Sequence, residues 1–132
     1  MNRDKWIFLT DVDDTLLNPD KSLGSENKEA LIRFMREGNY AAINTGRATE
    51  GIRRLMIDLG LYDNPNLILC GFNGGQIYSV GEEKTLYSKT IPIPIVAEAF
   101  ALAKQFGIHI QTYSDTEVIS ERDTEDLHIY MS

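Results

Sequence analysis

In the run Trp6-Ile7-Phe8-Leu9-Thr10-Asp11-Val12-Asp13-Asp14-Thr15-Leu16-Leu17, two carboxylates stand two residues apart directly after an apolar stretch. Ile7, Phe8 and Leu9 read as a buried strand, and the carboxyl end of such a strand is where open α/β sheets place their ligand chemistry. Side chains of an extended segment alternate, so Asp11 and Asp13 can face one site while Val12 packs away. Acids packed this closely raise one another's pKa, and a cluster that stays ionised needs a cation or a reacting group to balance it. The spacing therefore predicts a Mg2+ site with a carboxylate nucleophile.

The elements that must hold these residues follow from periodicity. Asn18 to Gly24 is rich in turn formers, and Ser25 is placed to cap a helix with Ala30, Leu31, Phe34 and Met35 on one face, stopped by Gly38. Tyr40 to Asn44 reads as a second strand. Thr45-Gly46-Arg47 then leads into a helix carrying Ile52, Leu55, Met56 and Leu59, closed by Gly60. Leu67 to Cys70 forms a third strand, and β-α-β-α-β alternation predicts a parallel sheet with right-handed crossovers.

After Gly71-Phe72-Asn73-Gly74-Gly75 the pattern changes. Gln76 to Val80 and Thr85 to Thr90 flank Gly81 to Lys84 as a β-hairpin. Beyond Pro92 and Pro94 come an amphipathic helix (Val96, Ala99, Phe100, Ala103), a strand from Ile108 to Tyr113, a turn at Ser114-Asp115-Thr116 and a strand through Val118 and Ile119. Asp123 is placed to cap a last helix with Leu127, Tyr130 and Met131 on one side.

A chain of 132 residues suits one modest domain with a real core. Its net charge of -7 argues against nucleic acid or an anionic membrane surface as partner, since both need clustered Lys and Arg. No apolar stretch approaches the roughly 20 residues needed to span a bilayer, and Met1 to Asp4 carry no signal or transit pattern. Cys70 is the single cysteine; its apolar setting suits a buried, inert thiol in a reducing compartment, the cytoplasm.

Asp11-Val12-Asp13-Asp14-Thr15-Leu16-Leu17 resembles the first motif, DxDx(T/V)L, of the haloacid dehalogenase (HAD) superfamily. Ile43-Asn44-Thr45-Gly46-Arg47 resembles its second motif in the TGR form of the Cof-type sugar-phosphatase branch. Phe72-Asn73-Gly74-Gly75 is similar to that branch's NGA segment, and Ile108 to Tyr113 resembles a strand of its C2-type cap. Order and spacing agree across almost the whole chain.

The resemblance implies an α/β fold: a partial HAD-like (Rossmann-like) parallel-sheet core over residues 1-89, of three parallel strands plus a hairpin, and part of an α+β C2-type cap over 90-132. It implies a Mg2+-dependent phosphatase of small phosphorylated metabolites such as sugar phosphates. Asp11 would attack phosphorus and bind the metal. Asp13 would protonate the leaving oxygen, activate water against the phospho-aspartate and lend its main-chain carbonyl to Mg2+. Thr45 and Gly46, with the following helix N-terminus, would clamp phosphate, and Arg47, Asn73 and Gly74 would contact substrate at the rim. Asp14 takes no catalytic role.

Two parts of the family pattern find no match. Lys84, Lys89 and Lys104 do not sit where the third-motif Lys belongs, and Asp115, Glu121, Asp123, Glu125 and Asp126 fall in cap elements, not in the acidic fourth motif. Relatives of this branch run to about twice this length, within what a core plus an inserted cap fills, so the chain is expected to be an N-terminal piece. The expected strand order is 3-2-1, which leaves Ile7, Phe8 and Leu9 on an edge and favours a homo-oligomer built around that strand.

Blander readings stand beside these. Asp11 and Asp13 can form a capping or turn cluster, Thr45-Gly46-Arg47 a plain strand-to-helix turn, and Asn73-Gly74-Gly75 a type I′ turn. His109 and His128 suit surface or packing roles, and the acidic run Glu117 to Asp126 suits a solvated face. A catalytically inactive truncated relative, acting if at all as a binding or dimerising module, is the alternative function. A phospho-accepting receiver domain is disfavoured, because the end of the third strand carries Cys70-Gly71-Phe72-Asn73 in place of the accepting Asp.

Overall fold

Ile7–Thr10 forms strand β1, Tyr40–Asn44 β2 and Leu67–Gly71 β3, with helices α1 (Ser25–Arg36) and α2 (Thr49–Asp58) in the two crossovers. The computed structural model describes residues 4–114 and 117–121. The chain divides into two units, Met1–Lys89 and Thr90–Ser132. Among the described residues no helix is long and apolar enough to cross a membrane.

In the first unit β1 pairs parallel with β2 and β2 parallel with β3. The hairpin strands β4 (Gln76–Ser79) and β5 (Lys84–Ser88) add antiparallel to β3, giving a mixed α/β sheet of order β1-β2-β3-β4-β5 among the described residues. Lys84, assigned to the hairpin turn from sequence, is the first residue of β5. The core gathers on the central strands: Ala41, Ile43, Leu67 and Leu69 are buried with Leu31 and Met35 of α1 and Ile52 and Met56 of α2. Each helix therefore presents residues four apart to the sheet, as the 3.6-residue period requires. Gly38 (φ +91) and Gly60 (φ +66) adopt the left-handed backbone that ends each helix.

Two local expectations change. Ser25 is already helical and makes no side-chain cap; Gly24 holds the capping position. Ile7, Phe8 and Leu9, whose apolar run reads as a buried strand, are 61%, 48% and 60% exposed, because among the described residues β1 pairs on one side only, at the sheet edge where the expected order 3-2-1 placed it. The apolar run reports a strand built for neighbours on both sides, which periodicity cannot tell from one already covered. Phe8 still meets Phe34 edge to face, with ring centroids 6.3 Å apart.

In the second unit Pro92 precedes helix α3 (Ile93–Phe106), Pro94 sits in its first turn, where the missing N–H costs nothing, and Gly107 (φ +68) closes it. Strand β6 (Gln111–Tyr113) begins later than the Ile108 start expected, and pairs antiparallel with β7 (Val118–Ser120). His109 Nε2 lies 3.1 Å from Gln111 Oε1, whose amide donates to Tyr113 Oη at 2.6 Å. Asp115, Thr116, His128, the end of the acidic run and the helix expected after Asp123 lie outside the described residues.

Candidate active site

The parallel register sets Thr10 beside Ile43, and Asn44 beside Cys70, so β1, β2 and β3 end together. Their carboxyl ends deliver Asp11, Thr45 and the Phe72–Gly74 turn to one edge of the sheet, where open α/β folds bind ligands.

The chain leaves β1 at Thr10, so strand alternation alone does not present the two acids. Asp11 remains extended (φ -77, ψ 167) and opens a kinked helical turn, Val12–Leu16, in which Asp13 (φ -73, ψ 130) and Asp14 (φ 56, ψ 16) leave the helical region. Val12 is fully buried, and its C=O accepts the Leu17 N–H at 2.9 Å. On either side of buried Val12, Asp11 is exposed and Asp13 partly covered.

The protein supplies cations of its own to Asp13. Arg47 donates Nε to Asp13 Oδ2 at 3.1 Å and Nη2 to Oδ1 at 2.8 Å, and Lys21 Nζ donates to Oδ1 at 2.9 Å. Asp13 is thus neutralised by the protein's own cations, and no group of three acidic, His or Cys side chains suited to a metal forms among the described residues. The Arg47 and then the Lys21 hydrogen bonds hold the Asp13 carboxyl below its usual range, against a smaller opposing effect of burial. Asp14 stays exposed and apart.

Thr45 is 5% exposed and fixed on three sides. Its N–H donates to Cys70 O at 3.0 Å, its C=O accepts the Asn73 N–H at 3.0 Å, and its Oγ1 accepts the Arg47 N–H at 3.3 Å. The hydroxyl keeps a proton of its own to donate. Phe72 N–H reaches Arg47 O at 2.9 Å, so the loops after β2 and β3 are stitched together.

Asn73 and Gly74 both have positive φ, and the Gly75 N–H closes on Phe72 O at 3.1 Å. This is a type I′ turn joining β3 to β4, so the bland reading of Asn73-Gly74-Gly75 holds as local structure. The same turn brings the Asn73 amide alongside Gly46: a Cβ there would stand 3.5 Å from it. Gly71 cannot carry a side chain, since its Cβ would fall 2.5 Å from Thr49 Oγ1 and 2.8 Å from Thr49 N. Thr49 Oγ1 is buried without a hydrogen-bond partner. Cys70 is buried, and desolvation pushes its thiol up, which keeps it protonated and inert.

Sequence reasoning placed Asp11, Asp13, Thr45, Gly46, Arg47, Asn73 and Gly74 at the site but missed two relationships. Arg47, expected at the rim, grips Asp13. Lys21, not singled out, joins it; the only signal was a turn-forming segment, Asn18-Pro19-Asp20-Lys21-Ser22, able to fold back on the motif. Mg2+ takes hard oxygens, commonly one or two carboxylates with water and substrate phosphate. The Asp11 carboxylate and the Asp13 carbonyl match that donor set in kind.

The family described as haloacid dehalogenase-like hydrolase matches residues 8–131. A 5-amino-6-(5-phospho-D-ribitylamino)uracil phosphatase of Bacillus subtilis is 33% identical over 118 residues, which are 87% of this chain and 38% of the relative. A pyridoxal phosphate phosphatase of Escherichia coli is 30% identical, over 89% of this chain and 42% of its own. A crystal structure of a haloacid dehalogenase-like hydrolase from Bacteroides thetaiotaomicron superposes with TM-score 0.81 at 27% identity, covering 93% of this chain and 46% of that one. The chain spans less than half the length of these relatives.

Proposed function

Because this chain belongs to the haloacid dehalogenase-like hydrolases, we propose that it carries the nucleophile half of a Mg2+-dependent phosphatase of small phosphorylated metabolites, sugar phosphates among them. The observation that bears the reading is the meeting of Asp11, Asp13, Thr45 and Arg47 at the shared ends of β1 and β2. Phosphatase relatives acting on a phosphoribitylamino-uracil and on pyridoxal phosphate support the small-metabolite class.

In this reading an Asp11 carboxylate oxygen attacks phosphorus as the ester oxygen leaves, and Asp13, whose affinity for a proton rises beside the incoming phosphate's negative charge, gives that oxygen its proton. Asp13 then takes a proton from water, which attacks the phospho-aspartate and frees phosphate with Asp11 restored. Thr45 donates its hydroxyl to a phosphate oxygen, backed by the Gly46 amide, while Arg47 and the Asn73-Gly74 turn border the substrate. The Asp11 carboxylate and the Asp13 carbonyl would hold Mg2+, which supplies electrostatic relief to the phosphoryl oxygens. Residues 1-89 form part of the core, and 90-132 part of a C2-type cap.

The third-motif Lys and the acidic fourth motif belong, in this proposal, to the portion of the relatives that the chain does not span. The buried, protonated Cys70 suits a reducing cytoplasm. One observation favours the alternative of a non-catalytic, self-associating module: the apolar edge Ile7–Thr10 with its exposed side chains. Phosphate release from sugar phosphates and pyridoxal phosphate, with Mg2+, by a protein that completes the family's segments decides between them. Activity abolished by Asp11→Asn supports the phosphatase; near-normal turnover by that variant overturns it.

A further inference from the structure

The segment after the acidic motif folds back on it. Asn18 N–H donates to Ser22 O at 2.9 Å and Lys21 N–H to Asn18 O at 2.8 Å. Ser22 donates its N–H and its hydroxyl to Asp20 Oδ1 at 3.0 and 2.6 Å, and Asn18 Nδ2 reaches Ser22 Oγ at 3.0 Å. At the apex of this small turn Lys21 holds φ +65, a region that side chains with a Cβ seldom enter. Such a conformation persists where the surroundings over-determine it. Here it aims an ammonium at Asp13 Oδ1, the oxygen already bound by Arg47 Nη2.

An exposed ion pair by itself contributes little, because two long side chains must be ordered against water. Lys21 is 59% exposed, so the pair has no evident purpose as a stability device. The geometry does have a consequence. Among the described residues Oδ1 receives two charge-assisted donors, whereas Oδ2 receives Arg47 Nε alone and keeps capacity for one more partner. The carboxylate is held by two cations that share Oδ1, and its two oxygens are made unequal.

We propose that Lys21 is a positioning residue for Asp13: from the Asn18–Ser22 turn it pins Oδ1 together with Arg47 and so fixes Oδ2 as the oxygen presented to substrate. The inference rests on the phosphatase reading for its use, but not for its geometry. Lys21→Gly separates the two, since glycine favours positive φ and keeps the turn while removing the ammonium. In the 132-residue chain, Lys21→Gly should shift the Asp13 Cγ resonance with the melting temperature maintained, and Lys21→Arg should restore the resonance. In the completed phosphatase, Lys21→Gly should lower kcat roughly tenfold with KM little changed, and Lys21→Arg should recover most of it. An Asp13 resonance indifferent to Lys21→Gly, or a kcat unaffected by it, overturns the proposal. Absence of phosphatase activity in both wild type and Asp11→Asn would refute the phosphatase reading instead, while the resonance still decides the ion pair.

Discussion

Arg47 closes on Asp13 with two parallel hydrogen bonds, Nη2 to Oδ1 at 2.8 Å and Nε to Oδ2 at 3.1 Å, across 34 residues of sequence. A guanidinium matches a carboxylate in this forked way and an ammonium does not. Arg47→Lys should keep the charge, lose the fork and let Asp13 rotate. In a completed phosphatase kcat/KM should fall roughly ten- to hundredfold, the scale on which small misplacements act. Steady-state kinetics with unchanged kcat/KM would show that the fork has no part in turnover.

The same pairing gives Asp13 a pH signature. Its folded pKa lies below the ordinary 3.8, so its contribution to stability is complete above that value and is lost as pH falls through the folded pKa. The effect is modest, since the Asp13 side chain is 34% exposed and salt screens the pair. Asp13→Asn should flatten the decline in urea stability below pH 3.8 relative to wild type. Parallel acid limbs for the two proteins would contradict this.

Gly71 marks where β3 passes the start of α2. Gly71→Ala forces Thr49 or the strand to move, and overpacking of this kind costs roughly 1–3 kcal/mol. Urea denaturation should show that loss, accompanied by disturbance of Thr45, whose N–H is bound by the neighbouring Cys70 carbonyl. Wild-type stability in the alanine variant would mean that the contact relaxes freely.

The chain of residues 1–132 is expected to bind Mg2+ only weakly, because among the described residues Asp11 and the Asp13 carbonyl are the ligands it offers and Mg2+ demands six oxygens. Calorimetric titration should show no saturation at micromolar metal. Tight binding would place further ligands within these residues.

A strand apolar on both faces, without proline or an inward charge, is a poor sheet edge. The 132-residue chain should therefore self-associate through Ile7–Thr10, and Leu9→Lys should reduce that association. Sedimentation of a clean wild-type monomer would refute the expectation.

The elements, and the order in which they bring chemistry to the sheet, are written in local sequence. Helix spacing in Ile52 and Met56, strand runs in Ala41 to Ile43 and Leu67 to Leu69, and the motif residues following β1, β2 and β3 are local patterns, legible because periodicity and turn chemistry act over a few residues. Strand type was legible in the run Ile7 to Leu9 itself, whereas its edge position followed only from the strand order that the family resemblance implies, since burial depends on which neighbours a sheet position has. How the acids are balanced is settled by contacts that the folded chain alone makes. Local spacing says that Asp13 needs a positive partner; it cannot say that Arg47, 34 residues away, and Lys21, on a turn folding back, supply one. Such a choice depends on crossover geometry and on the left-handed backbone at Lys21, which sequence proximity does not encode.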